Sequence, residues 1–103
     1  GEVTMDAWGA AGVATLADLE AADARVQAAR KQFAAAEKRA RLAGESRGFF
    51  EKSFRMGETD LPTRLRIELE AVEAEKQASR ARIDLAAAIS ALRQALGLLP
   101  EQK

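Results

Sequence analysis

Between Leu19 and Phe54 the apolar residues fall at alternating steps of three and four: Leu19, Ala22, Val26, Ala29, Phe33, Ala36, Ala40, Ala43, Phe50 and Phe54, with Arg47 the one polar residue in the series. Such steps return to one face of an α-helix, and their sustained alternation is a heptad seam, so the spacing predicts a long helix packed along one side against a partner. One row of the seam is mainly Ala and the other holds Leu, Val and Phe, which lets a partner approach closely on one row while large side chains fill the other. Arg47 is read as a long side chain snorkelling to the helix edge. Gly44 and Gly48 interrupt this helix, each costing up to about 1 kcal/mol relative to Ala, and predict a bend or a close contact.

The strongest break in the middle of the chain is Met56-Gly57-Glu58-Thr59-Asp60-Leu61-Pro62. Gly57 can end a helix in the left-handed conformation, Thr59 or Asp60 can cap the next, and Pro62 suits its first turn. A second helix is expected over 61–96, stopped by Gly97 with Pro100 beyond it. It carries two apolar stripes, one through Leu65, Leu69, Val72, Ser79 and Ile83, the other through Ala78, Leu85, Ile89, Leu92 and Leu96. So wide an apolar face asks for two neighbours, and a hairpin of two helices, each about 60 Å long, would leave part of it uncovered. Lateral association with further helices is the expectation. Residues 1–12 hold Gly1, Gly9 and Gly12 around Trp8 and read as an irregular lead-in. The first helix is assigned to 13–55, with Thr15 and Asp18 forming a weaker version of the capping box, the turn to 56–60 and a tail to 98–103. The fold class is all-α: a long antiparallel, coiled-coil-like helical hairpin forming one structural unit.

Composition agrees with long packed helices. About a quarter of the residues are Ala, while the sequence holds only 2 Pro and 5% aromatics. Sixteen basic and 16 acidic residues leave a formal net charge of zero with the signs interspersed, so no long-range field draws in nucleic acid. With no Cys and no His the chain lacks thiolate ligands, the commonest metal ligand and the commonest general base. No nucleophile–base pair or phosphate-cradling loop is present, so neither an enzyme nor a cofactor is expected. The carboxylates Glu68, Glu70, Glu73 and Glu75 beside Lys76 and Arg80 read as a solvated face with i,i+4 pairs rather than a metal site. Phe49, Phe50 and Phe54 read as packing bulk near the hairpin end.

Two motifs carry a resemblance. Phe54-Arg55-Met56-Gly57-Glu58-Thr59-Asp60-Leu61 resembles the aromatic-x-x-Gly-Glu-x-Ser/Asp-Leu signature in the second repeat of TolC-like outer membrane efflux proteins. Ala91-Leu92-Arg93-Gln94-Ala95-Leu96-Gly97 is similar to the Leu-x-x-Ala-Leu-Gly ending of that family's repeats. The resemblance covers roughly residues 15 to 98. It departs from the family at Pro62 and Thr63, where an apolar residue followed by Asp or Glu is usual, and at Gly44 and Gly48.

The resemblance implies a segment of an α-helical periplasmic tube, part of an outer membrane protein of Gram-negative type that is a homotrimer at full length. It also implies that the turn, Arg55, Met56, Gly57, Glu58, Thr59, Asp60 and Leu61, docks a periplasmic adaptor (membrane fusion) protein and through it reaches an inner-membrane transporter indirectly. The segment itself holds no apolar run of the roughly 20 residues that span a bilayer. The alternative is an adaptor-side or free-standing coiled-coil interaction module. For an adaptor hairpin, an Arg-Leu-Ser-like pattern is expected at the tip, of which Thr63-Arg64-Leu65-Arg66 is a faint echo.

Overall fold

The computed structural model describes residues 13–99, so the lead-in expected over 1–12 and the tail from Pro100 onward lie outside the described residues. Two helices account for almost all of what is described: α1, Leu16–Arg55, and α2, Leu61–Gly97. No strand occurs among the described residues. The fold is an all-α helical hairpin, as the heptad spacing predicts.

Helix α1 starts at Leu16 rather than at Val13, and the cause is local. The Asp18 backbone N–H donates to Thr15 Oγ1 at 3.1 Å while the Thr15 N–H donates to Asp18 Oδ2 at 2.9 Å, a reciprocal capping box. These two bonds satisfy donors that the first turn would otherwise leave without partners. The Thr15 backbone N–H first, and the Thr15 hydroxyl second, hold the Asp18 carboxyl below the usual carboxylate range. At the other terminus α2 runs through Gly97, one residue past the expected end. Gly97 keeps a negative φ, and the chain closes with Leu98 N–H bonded to the Gln94 carbonyl at 3.1 Å.

Contacts group into two units, because two helices alone enclose no central core on which all contacts converge. Among the described residues the first unit comprises 13–30 with 84–99. There Ala22, Val26 and Ala29 are buried and Leu19 half-buried on α1, while Leu85, Ala88, Leu92 and Ala95 are the half-buried heptad positions of α2. A backbone bond ties the two chain ends of this unit together, Ala14 N–H to the Leu98 carbonyl at 3.2 Å.

The second unit, Lys31–Ile83, contains the turn. Its α1 seam is Phe33, Ala36, Ala40, Ala43, Arg47, Phe50 and Phe54, every one buried or half-buried, as the spacing predicts. On α2 the uncovered part of the apolar face is the stripe through Leu65 to Ile83. Leu65, Leu69, Val72 and Ile83 are all exposed, Leu69 to 69%, and the inward positions are Arg64, Ile67, Ala71, Ala74, Ala78 and Ala81. These too repeat at three and four, so α2 has a heptad seam of its own, built mainly from Ala. The physical reason is fit: small residues on α2 let the axes approach until the Phe and Ala rows of α1 are covered, and Leu at those positions would hold the helices apart. Gly44 and Gly48 bear on the close contact that is one of the two expectations for them. A Cβ placed on either would meet no atom within 4 Å, so neither marks a close approach within the chain.

Candidate functional site

The seven turn residues singled out by sequence lie together at the apex of the second unit, and their backbone is fixed by bonds to the adjoining ends of the two helices. Gly57 has a φ of 76°, the one positive value among the described residues. Its N–H donates to the Phe54 carbonyl at 3.0 Å and the Glu58 N–H reaches back to the Ser53 carbonyl at 2.8 Å. That pair of bonds is a Schellman closure, with Gly57 in the left-handed position that a Cβ penalises. Met56 N–H completes the last turn of α1 on the Lys52 carbonyl at 3.1 Å.

Of the two candidate caps for α2, Asp60 is the one used. Its Oδ1 accepts the Thr63 N–H at 2.9 Å, and its carbonyl accepts the Arg64 N–H at 3.1 Å, the first bond of the helix. The Thr63 hydroxyl first, and the Thr63 backbone N–H second, hold the Asp60 carboxyl below the usual carboxylate range. Pro62 follows inside the first turn, where a missing N–H costs nothing.

Each side chain of the apex then has a distinct disposition. Arg55 is tied to Glu51 one turn earlier at 2.9 Å. Thr59 is half-buried. Met56 is 70% exposed and Leu61 52%, two apolar side chains on either side of the glycine. Glu58 is exposed and, among the described residues, its side chain engages in no hydrogen bond or ion pair, so its carboxylate is an acceptor the apex leaves available; Asp60 is committed to its cap. Behind the apex, the Arg64 guanidinium lies 4.6 Å from the centre of the Phe54 ring and closes the seam. Sequence reasoning gave Arg64 no structural part, although its position three residues before Ile67 in a three-four series marks it as inward.

The other features behave as side-chain packing and solvation require. Phe49 and Phe50 meet edge-on at 5.4 Å; Phe50 lies in the seam as packing bulk, whereas Phe49, one position off the seam's three-four series, is exposed and corrects that reading. In the acidic run, Glu70 pairs with Arg66 at 3.1 Å and Glu73 accepts from Gln77 at 3.4 Å, both i,i+4 contacts on the helix surface. Among the described residues no group of His, Cys, Asp or Glu is placed to hold a metal ion, and no helix is long and apolar enough to cross a membrane. Compared with protein-family models, curated proteins and solved structures, the chain matches none.

Proposed function

We propose that this chain is a duct element of a TolC-like outer membrane efflux channel, a periplasmic wall segment without catalysis, and that its apex docks the hairpin of an adaptor protein in a tripartite export pump. The observation that carries the reading is the apex itself. A turn whose backbone donors are satisfied by the end of α1 presents Met56, Gly57, Glu58 and Leu61 outward, and Gly57, Glu58 and Leu61 stand where the efflux-channel signature has Gly, Glu and Leu. Gly57 lets another backbone come close, Met56 and Leu61 supply apolar contact, and Glu58 accepts a hydrogen bond from the partner. A contact this small holds only when several copies bind at once, which fits a homotrimeric full-length protein. The adaptor-side alternative is weakened by Arg64, whose guanidinium is committed to the Phe54 ring instead of standing free near the tip.

The test is binding of the chain, alone and displayed as a trimer, to adaptor hairpins from a tripartite pump. It is repeated with Gly57→Trp and with Thr59→Arg/Asp60→Arg, helicity being checked for each. Capture that both variants abolish supports docking. Capture indifferent to them, or absent even for the trimer, overturns it.

A further inference from the structure

In the first unit, where α1 begins and α2 ends, an open cleft of about 220 Å³ lies between the two helices. Alanines, among them Ala14 and Ala91, line it where larger side chains would fill it, and Val13 and Leu98 add apolar surface that is exposed. Asp18 and Gln94 are its polar lining. The bond from the Ala14 N–H to the Leu98 carbonyl at 3.2 Å joins the two sides, so the lining is held at one spacing. A water molecule's share of liquid volume is about 30 Å³, so the cleft has room for one large side chain. Leu16, Leu96 and Leu99, near Val13 and Leu98 in sequence, are exposed as well, which makes this end of the hairpin its least covered apolar surface in the first unit.

The sequence supplies one side chain of matching chemistry. Residues 1–12 contain Trp8, the sole tryptophan, whereas Pro100-Glu101-Gln102-Lys103 has no large apolar side chain. An indole offers a broad apolar surface and a single N–H donor, which suits an apolar cleft that carries acceptor oxygens at Asp18 and Gln94. Of the larger apolar residues in the lead-in, Val3, Met5 and Trp8, only Trp8 has such a donor. The tether fits too. Gly9-Ala10-Ala11-Gly12 joins Trp8 to Val13, itself a lining residue. Five residue steps reach at most about 17 Å, so the indole can fold back on the cleft beside its own attachment. The spacer carries no charge and nothing larger than a methyl to compete for the site, and a loop so short costs little entropy to close.

From this match we propose that Trp8 seats in the cleft between Ala14 and Ala91, making the lead-in an intramolecular clasp over the start of α1 and the end of α2. The clasp covers apolar surface that the two helices leave open and shields the Ala14–Leu98 bond from water. The inference does not rest on the efflux reading, since it uses neither the apex nor the family signature.

The experiment is fluorescence of the full chain, which with one Trp and no Tyr reports on Trp8 alone. Native emission is expected at shorter wavelength than that of the urea-unfolded chain, with acrylamide quenching several-fold weaker, at every protein concentration tested. Ala91→Glu and Leu98→Glu change exposed lining residues and are expected to return emission and quenching to the unfolded values, while circular dichroism shows native helicity. Leu69→Gln, in the second unit, is expected to leave both readouts at their native values. Hydrogen exchange at the Ala14 amide is expected to accelerate several-fold in Trp8→Ala. Native emission at the unfolded wavelength overturns the proposal, as does Ala14 exchange that Trp8→Ala leaves unchanged. A blue shift that survives both cleft variants overturns it too, by seating the indole elsewhere. A blue shift that grows with protein concentration does the same, by giving the cleft to a second copy.

Discussion

Four glycines lie among the described residues, and replacing them with alanine is expected to move stability in opposite directions. Gly57 sits at a φ of 76°, and a Cβ there would meet no atom within 4 Å. The cost of Gly57→Ala is therefore conformational alone, about 1 kcal/mol for putting an L side chain in the left-handed region. Gly48 also has open space around a Cβ, but its backbone is ordinary α-helix. Gly48→Ala is expected to gain up to about 1 kcal/mol, since the only term that changes is the backbone entropy glycine loses in a helix. The two substitutions, identical in chemistry, should differ by about 2 kcal/mol, which for a domain of this size is on the order of 10 °C in Tm. Thermal and urea unfolding followed by far-ultraviolet circular dichroism, at one fixed protein concentration, measures the difference. Gly57→Asn, which tolerates the left-handed region better, should fall between native and Ala. A neutral Gly57→Ala, or a Gly48→Ala that destabilises, would refute the reasoning, because the first requires a residue 57 not held left-handed and the second a contact at residue 48 that the geometry lacks.

The two faces of α2 should respond unequally to substitution. Ala71→Leu, at a site 2% exposed, is expected to cost about 1–3 kcal/mol by forcing the helices apart, whereas Leu69→Gln should change the stability of the single chain by no more than about 0.5 kcal/mol, both read by urea unfolding. The capping carboxylates set a pH dependence. Asp18 and Asp60 both have folded pKa values depressed by hydrogen bonds, so the stability they contribute is fully present above the unfolded value of about 4 and is lost as the pH falls through the folded values. Tm measured against pH should be level from pH 7 down to about 5 in this respect and then fall, and the Asp18→Asn/Asp60→Asn double variant should fall less steeply. Arg64→Gln should lose about 0.5–1 kcal/mol with the cation–π contact to Phe54, and Arg64→Lys less, by the same unfolding measurement.

The residues explain why one helix was easier to read than the other. On α1 the large side chains Leu19, Val26, Phe33, Phe50 and Phe54 belong to the seam, so hydrophobicity and packing pointed to the same face. On α2 they diverged. Leu65, Leu69 and Val72, three of the four large apolar residues between Leu65 and Val72, face outward, while Ile67 with the three-four series of Ala71, Ala74, Ala78 and Ala81 does the packing. Ranking positions by hydrophobicity selects the stripe that needs a second neighbour, and ranking them by spacing selects the one the first neighbour occupies. The turn was legible because its chemistry is local: a glycine for the left-handed residue and an aspartate three residues before Thr63 for the cap. What the apex binds is not encoded locally, since Met56, Glu58 and Leu61 acquire meaning only against a partner's surface.

The turn's closure within a handful of residues has a kinetic consequence. Every bond that shapes Gly57 and caps α2 joins residues no more than five apart, whereas the bond between Ala14 and Leu98 closes a loop spanning nearly the whole described chain. Loop-closure entropy makes the short contacts the cheapest to form first, and each cross-seam contact made next to the apex shortens the loop that the following one must close. A chain ordered this way can zip from the apex toward its ends, meeting at each step a loop smaller than the full separation would demand. The same ordering makes register an early decision: with so many interchangeable alanines along the seam, a turn that closed one residue out of place would propagate its error down both helices.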